Sequence, residues 1–304
     1  MACYNAERFV ADAVQSVLAQ TWPDTELIVV DDGSTDRSLA ALGEFGERIR
    51  VIPQQNQGPY PARNRGAEAA TGEFLAFLDA DDWWDATCLA KLHAALAAAQ
   101  DAAVAYCGWQ NVGVRGGRGE PYIPPDYEAE CKLEHLLSAA APWPIHAALM
   151  RRAVFAEVGG FDTTLRTVMD YDLWLRTAAT RRIVRVPEVL AFYRFHEAGQ
   201  ISSTQWRQAE NTWRVKKKYL AAHPELADEV GKGRITEWVD GALLRRGYDL
   251  YWKRDLFSAQ KVFRLALRTG AFAGKDLKYL VPALLPFPLY RQLVRVAEKP
   301  PARA

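Results

Sequence analysis

Apolar positions along the chain change their period several times. Phe9, Val10, Ala13, Val14, Val17 and Leu18 fall on one stripe with a 3.6-residue repeat, which predicts a helix. Residues 26–31, Glu-Leu-Ile-Val-Val-Asp, hold a continuous apolar run that ends in Asp31, the pattern of a strand buried on both faces of a parallel sheet. Ser34 or Thr35 can cap a following helix that runs to about Phe45. The spacing then predicts a short strand at residues 49–52, a helix at residues 62–70 and a second buried strand at residues 73–78 that ends in Asp79-Ala80-Asp81-Asp82. Beyond a strand at residues 104–109, the Gly- and Pro-rich residues 113–125 read as a surface loop. Helices at residues 151–158 and 171–180, parted by Gly159-Gly160, precede strands at residues 183–186 and 190–195. Strands alternating with helices predict an α/β fold with a mainly parallel, doubly wound, Rossmann-like sheet over residues 1–203.

From Gln205 the period becomes helical, through Trp238, Leu243, Leu244, Tyr248, Tyr251, Phe257, Val262, Phe263 and Leu267. The domain boundary is placed near Ser203, with residues 204–304 as a helical C-terminal extension. Charge sharpens this division. A formal net charge of +1 conceals 20 Lys and Arg against 10 Asp and Glu in residues 205–304, with 18 against 27 before them. The extension is therefore basic and the body acidic. Residues 277–296 mix Leu, Pro, Phe and Tyr with Lys278, Arg291 and Arg295. That pattern suits an amphipathic element on a membrane or partner, or equally a helix packed on its own domain.

With 304 residues, about half of them apolar, the chain can bury one large core and a smaller one. No stretch reaches the roughly 20 uninterrupted apolar residues that span a bilayer, so a cytoplasmic address is expected, with peripheral attachment to the cytoplasmic face of the inner membrane as its variant. Cys3, Cys88, Cys107 and Cys131 form no CxxC pair and read as reduced thiols. A nucleic-acid partner is not expected.

In open α/β sheets ligands bind beyond the carboxyl ends of the strands, where Asp31-Asp32 and Asp79-Ala80-Asp81 both fall. Asp79 and Asp81 supply hard oxygen donors that suit Mg²⁺ or Mn²⁺ and leave positions open for substrate phosphates. Acids after a strand also merely solvate turns, but Arg63 and Asn64 nearby favour a site. Arg63 reads as a fixed cation near phosphate oxygens or as a solvated helix charge. His196 reads as a further metal or phosphate ligand, or as a structural His. Trp143, in a Pro-Trp-Pro loop, could show a flat face to a sugar, and His146 could line the acceptor side.

Tyr4-Asn5-Ala6-Glu7, residues 28–36 (Ile-Val-Val-Asp-Asp-Gly-Ser-Thr-Asp), Gln57-Gly58, Ala62-Arg63-Asn64 and Phe77-Leu78-Asp79-Ala80-Asp81-Asp82 together resemble the family 2 glycosyltransferases of GT-A fold. Gly159-Gly160-Phe161-Asp162, Asp170-Tyr171-Asp172-Leu173-Trp174 and Tyr193-Arg194-Phe195-His196 extend the resemblance over residues 3–203. It implies a metal-dependent inverting transferase. Asp31 and Asp32 would contact the base and ribose of a UDP- or GDP-type sugar donor, Asp79 and Asp81 would hold metal and diphosphate, and Asp170 would be the base. A glycan or lipid-linked acceptor, as in cell-surface polysaccharide synthesis, is implied by the resemblance alone.

The chain departs from that family in two places. It opens at Met1-Ala2-Cys3-Tyr4-Asn5, where members carry a whole apolar strand, so the first strand is expected to be missing and the sequence to be a 5′-truncated reading of a longer protein. Met169 stands where a Glu is common, so Asp170 is expected to lie in apolar surroundings with a raised pKa, or Asp172 to take over as base. No Gln-x-x-Arg-Trp stretch occurs, which points to transfer of a single sugar. The alternatives are a catalytically impaired nucleotide-sugar-binding or scaffold protein and, behind it, a nucleotidyltransferase, for which no Gly-rich phosphate loop is visible.

Overall fold

A computed structural model describes residues 1–113, 119–138, 142–165, 167–195 and 204–297. Contacts divide the chain into two compact units, Met1–Leu133 with Ala141–Gly199, and Glu134–Ala140 with Gln200–Ala304. The boundary expected near Ser203 lies outside the described residues.

The first unit opens with strand β1 (Ala2–Cys3), helix α1 (Val10–Leu18), strand β2 (Ile28–Asp31), helix α2 (Ser38–Gly43), strand β3 (Arg50–Pro53) and helix α3 (Pro59–Ala69). α1 buries Val10, Ala13, Val14 and Val17, one face of a helix, and β2 is buried at all four positions. β1, β2 and β3 form a parallel three-stranded sheet in that order. Two residues thus stand where the sequence led us to expect no first strand. Ala2 also bridges to Asp79, which links this sheet to the next acidic turn.

Strands β4 (Phe74–Ala76) and β5 (Trp83–Trp84), helix α4 (Cys88–Ala98), strand β6 (Val104–Val112), helix α5 (Lys132–Ser138), which from Glu134 onward is counted with the second unit, strand β7 (Ala148–Arg151), helices α6 (Arg152–Glu157) and α7 (Met169–Ala178) and strand β8 (Ile183–Arg194) follow. They build a five-stranded sheet of order β4-β7-β6-β8-β5, in which β6 and β8 run parallel and the other neighbours antiparallel. The parallel pattern read from the sequence therefore holds for β1 to β3 and gives way to a mixed sheet. β5, α4 and β7 are not among the elements expected from the sequence, although Leu89, Leu92 and Leu96 fall on one buried stripe of α4. The two strands expected at residues 183–186 and 190–195 are one strand, β8, whose register against β6 shifts around Gly108. Pro187 lacks an N–H for a ladder, and the irregularity accommodates it. A Cβ on Gly108 would sit 2.7 Å from the Tyr122 carbonyl oxygen and 3.0 Å from that of Glu188, so the position requires glycine.

The second unit is helical: α8 (Gln205–Ala222), α9 (Glu225–Val230), α10 (Lys232–Thr236), α11 (Ala242–Trp252), α12 (Leu256–Thr269), α13 (Leu277–Leu280) and α14 (Phe287–Ala297). Asp255 caps α12 by accepting the Ser258 N–H at 3.1 Å, and Gly270 ends it at φ 73°. Leu243, Leu250, Val262, Phe263, Leu280, Tyr290 and Val294 form its core. No described helix is long and apolar enough to cross a membrane.

Candidate functional site

β4 leads through buried Phe77 and Leu78 into the turn Asp79-Ala80-Asp81-Asp82, closed by the Asp82 N–H on the Asp79 carbonyl at 3.1 Å. One oxygen each of Asp79, Asp81 and Asp82 lies within 4.8 Å of the others. Asp82 is buried at the back. Its Oδ1 accepts the Arg194 N–H at 2.8 Å, and its Oδ2 lies 3.1 Å from Nδ1 of buried His146 without the alignment of a hydrogen bond. Asp79 and Asp81 are partly exposed in front.

Arg63 comes from α3, is buried, and pairs through Nη2 with Asp79 Oδ1. Its guanidinium carbon lies 4.9 Å from the ring centre of Tyr60 and 5.8 Å from that of Phe161. Burial opposes ionisation of Asp79, but the charge and hydrogen bond of Arg63 outweigh it and hold the carboxyl below its usual range. Of the two readings for Arg63, the solvated helix charge is excluded.

At the end of β2, Asp31 and Asp32 are both buried and have different tasks. Asp32 accepts the N–H groups of Gln57 at 2.9 Å and Gly58 at 2.7 Å and the Gln54 amide at 2.7 Å, so it holds the loop into α3. Asp31 Oδ2 accepts the Ser34 N–H at 3.2 Å, while its buried Oδ1 has no hydrogen-bond partner among the described residues. Such an acceptor fits an N–H of a nucleobase. The Tyr4-Asn5-Ala6-Glu7 motif laces this end of the sheet: Asn5 Oδ1 accepts the Thr35 N–H at 2.8 Å and Glu7 the Arg37 N–H at 2.9 Å.

Asp170 sits in the first turn of α7, just past Val168, which is left-handed at φ 60°. A β-branched residue there is strained by about 1–3 kcal/mol, a cost that marks functional turns. Desolvation pushes the Asp170 carboxyl above its usual range, against the opposing pull of Arg63 and the Tyr171 N–H, and Asp79 adds to the rise. Tyr60, pushed up to about 12 by burial and by Asp170, belongs to the same neighbourhood. Half-buried Tyr193 is raised too, by burial and then by Asp82, Asp79, Asp81 and Asp170. Its ring stacks on His146 at 5.6 Å.

Several expected site residues have other surroundings. Asn64 donates to the Phe161 carbonyl and accepts the Phe161 N–H, both at 2.9 Å, so its amide is spent pinning the Gly159-Gly160-Phe161 turn to α3. Asp172 is buried and paired with Arg176, whose Nε and Nη2 lie 2.8 and 2.6 Å away. An ion pair of that kind leaves no free base, which corrects the expectation for Asp172. Trp143 is fully buried, stacked on Tyr106 at 4.4 Å, and offers no face to a sugar. His146 lies behind the acidic cluster instead of at an open acceptor side. His196 lies outside the described residues. Tyr60 and Tyr193 were missed. The only sequence signals were a tyrosine flanked by Pro59 and Pro61 and one within Tyr193-Arg194-Phe195.

The carboxylate oxygens of Asp79 and Asp81, exposed in front and backed by Asp82, are hard donors that fit a divalent cation such as Mg²⁺ or Mn²⁺. A cation there, Arg63 beside it and an acceptor on Asp31 without a partner among the described residues together suit a nucleoside diphosphate, with the raised carboxyl of Asp170 in the same electrostatic field.

The family model for glycosyl transferase family 2 matches residues 1–159. An uncharacterized glycosyltransferase of Nostoc sp. is 28% identical over 93% of this chain and 91% of its own length. Among solved structures, S. aureus TarS 1-349 in complex with UDP-GlcNAc has a TM-score of 0.68 at 19% identity, over 98% of this chain and 90% of that one. The mannosyltransferase PcManGT of Pyrobaculum calidifontis, in complex with GDP-Man and Mn²⁺, has a TM-score of 0.55 at 18% identity, over 98% and 86%.

Proposed function

The chain belongs to glycosyl transferase family 2 and is a glycosyltransferase of GT-A fold, and from that premise we propose that it moves one sugar, with inversion, from a nucleotide-sugar donor to a hydroxyl of a glycan or lipid-linked acceptor. The observation that carries this reading is the acidic turn, in which carboxylate oxygens of Asp79, Asp81 and Asp82 lie within 4.8 Å of one another with buried Arg63 paired to Asp79. The acceptor oxygen attacks the anomeric carbon as the bond to the diphosphate oxygen breaks, and the electron pair leaves with the nucleoside diphosphate. Asp170 takes the acceptor proton. Asp31 accepts from the base, and Arg63 lies beside the diphosphate as a fixed cation that needs no reorganisation. A divalent cation held by Asp79 and Asp81 would neutralise charge on the departing diphosphate. The proposed donors are UDP- or GDP-sugars, the nucleotide types held by the TarS and PcManGT structures.

The test is release of nucleoside diphosphate from a panel of UDP- and GDP-sugars, with Mn²⁺ or Mg²⁺ and with candidate acceptors. Release from one donor, lost in Asp81→Ala, supports a metal-dependent transferase and identifies its sugar. Nucleotide binding without any turnover would favour the impaired, binding-protein reading.

A further inference from the structure

Helix α14 packs on the second unit through Tyr290 and Val294, both buried in its core. The packed helix foreseen in the sequence is therefore present, yet it leaves an apolar surface uncovered. Leu289, Leu293 and Val296 are 46–65% exposed, and Val281 and Leu284, before the helix, are 52% and 58% exposed. Single exposed leucines are ordinary, but a run of them on one element marks an interaction surface. At 100° per residue, Leu289, Leu293 and Val296 share one side of the outward face, and Arg291 and Arg295 share the other.

The arginine side opens on a cleft of about 500 Å³. Arg254, Arg291 and Arg295 line it together with Phe257 and Phe287, whose rings meet edge to face at 5.3 Å. The carboxylate present there, Asp255, is committed to the Ser258 N–H that caps α12. Arg291 and Arg295 pair with no carboxylate among the described residues. Residues 277–297 contain no Asp or Glu, while Lys278 is exposed beside Leu277.

We propose that α14 and the segment before it dock this protein on an anionic lipid bilayer, the leucine side entering the acyl boundary and the arginine-lined cleft receiving a phosphate headgroup. Charge chooses this occupant over a second copy of the chain. Two such faces brought together would set Arg254, Arg291 and Arg295 of each copy against the single carboxylate of Asp255 in the other, whereas an anionic bilayer complements all three cations. Arginine stems reach along apolar surface while their heads stay at the phosphates. The proposal does not rest on the transferase reading, because binding to lipid needs no donor sugar.

The test is co-sedimentation of the full chain with vesicles of about one-third phosphatidylglycerol in phosphatidylcholine, and with phosphatidylcholine alone. Binding to the anionic vesicles is expected to fall steeply with salt, and binding to neutral vesicles to be about tenfold weaker or more. Leu289→Glu with Leu293→Glu, at exposed positions, should weaken anionic binding about tenfold or more with an unchanged thermal transition. Arg291→Gln with Arg295→Gln should weaken it similarly and flatten the salt dependence, and this pair tests the proposal independently should the glutamates loosen the helix. Absence of wild-type binding at low salt, or binding by both variants as strong as the wild type's, would overturn it. So would a dimer in sedimentation velocity that the glutamates dissolve while vesicles leave it untouched.

Discussion

Arg63 grips Asp79 through Nη2, so the first carboxylate of the acidic turn is already countered by a buried cation of the protein itself. Arg63→Ala should therefore make the cluster more negative and tighten Mn²⁺ binding to the nucleotide-free protein by about fivefold, roughly 1 kcal/mol for a removed charge near a half-exposed site. The same change should destabilise the protein by about 2–3 kcal/mol, below the full value for a buried pair because Asp79 is partly exposed. Calorimetric titration with Mn²⁺ and urea unfolding measure the two effects. An unchanged Mn²⁺ affinity would remove Asp79 from the metal site.

Asp170 is held above the ordinary carboxyl range by desolvation, so as the base it becomes active only as pH rises through that raised value. The acid limb of kcat/KM should lie above pH of about 4, the range of an unperturbed aspartate. Asp170→Asn should lower kcat by about 10²- to 10⁴-fold. Its folded-state pKa exceeds its unfolded value, so the stability it contributes is full below the unfolded pKa and is lost as pH rises through the folded one. The asparagine variant escapes that loss, and its urea midpoint at pH 7 should equal or exceed the wild type's. Asp172→Asn should do the reverse, costing about 3 kcal/mol by stranding Arg176 while leaving the position of the acid limb unmoved. An acid limb that stays in place in both variants would argue for another base.

Gly160 has φ 68°, and a Cβ there would lie 2.8 Å from Asn64 Oδ1 and 3.1 Å from the Phe155 ring. Gly160→Ala should cost about 1–3 kcal/mol and loosen the turn that precedes α7. Because the diphosphate side is built from other segments, nucleotide affinity should change less than kcat. Equilibrium unfolding, nucleotide titration and turnover, compared on one preparation, check this. Equal losses in affinity and kcat would contradict it.

The acidic strand ends could be read in advance because apolar runs closed by carboxylates are local signals, as at Val29-Val30-Asp31 and Phe77-Leu78-Asp79. What a carboxylate or amide does once folded depends on partners far away in the chain, and periodicity carries no record of those. Asp31 and Asp32 are adjacent, yet only the structure distinguishes the one with an unpartnered oxygen from the one that ties down Gln54, Gln57 and Gly58. Asn64 looked like a ligand residue and proved to be a clamp on Phe161, and Trp143 looked like a sugar platform and proved to be core. Tyr193 entered only as part of a motif, because its position facing the acidic turn is set by β8 pairing with β6 and β5, a long-range event.

The clamp between Asn64 and Phe161 also bears on how the molecule is made. Its two partners are 97 positions apart, so at about 5–20 residues per second a growing chain exposes Asn64 for roughly 5–20 s before Phe161 is synthesised. For most of that interval the residues of the acidic turn have been synthesised, while the amide that fixes the Asp170 side has nothing to hold. The donor half of the enzyme is thus born first, and assembly of the complete catalytic centre is among the late, high-contact-order events of folding.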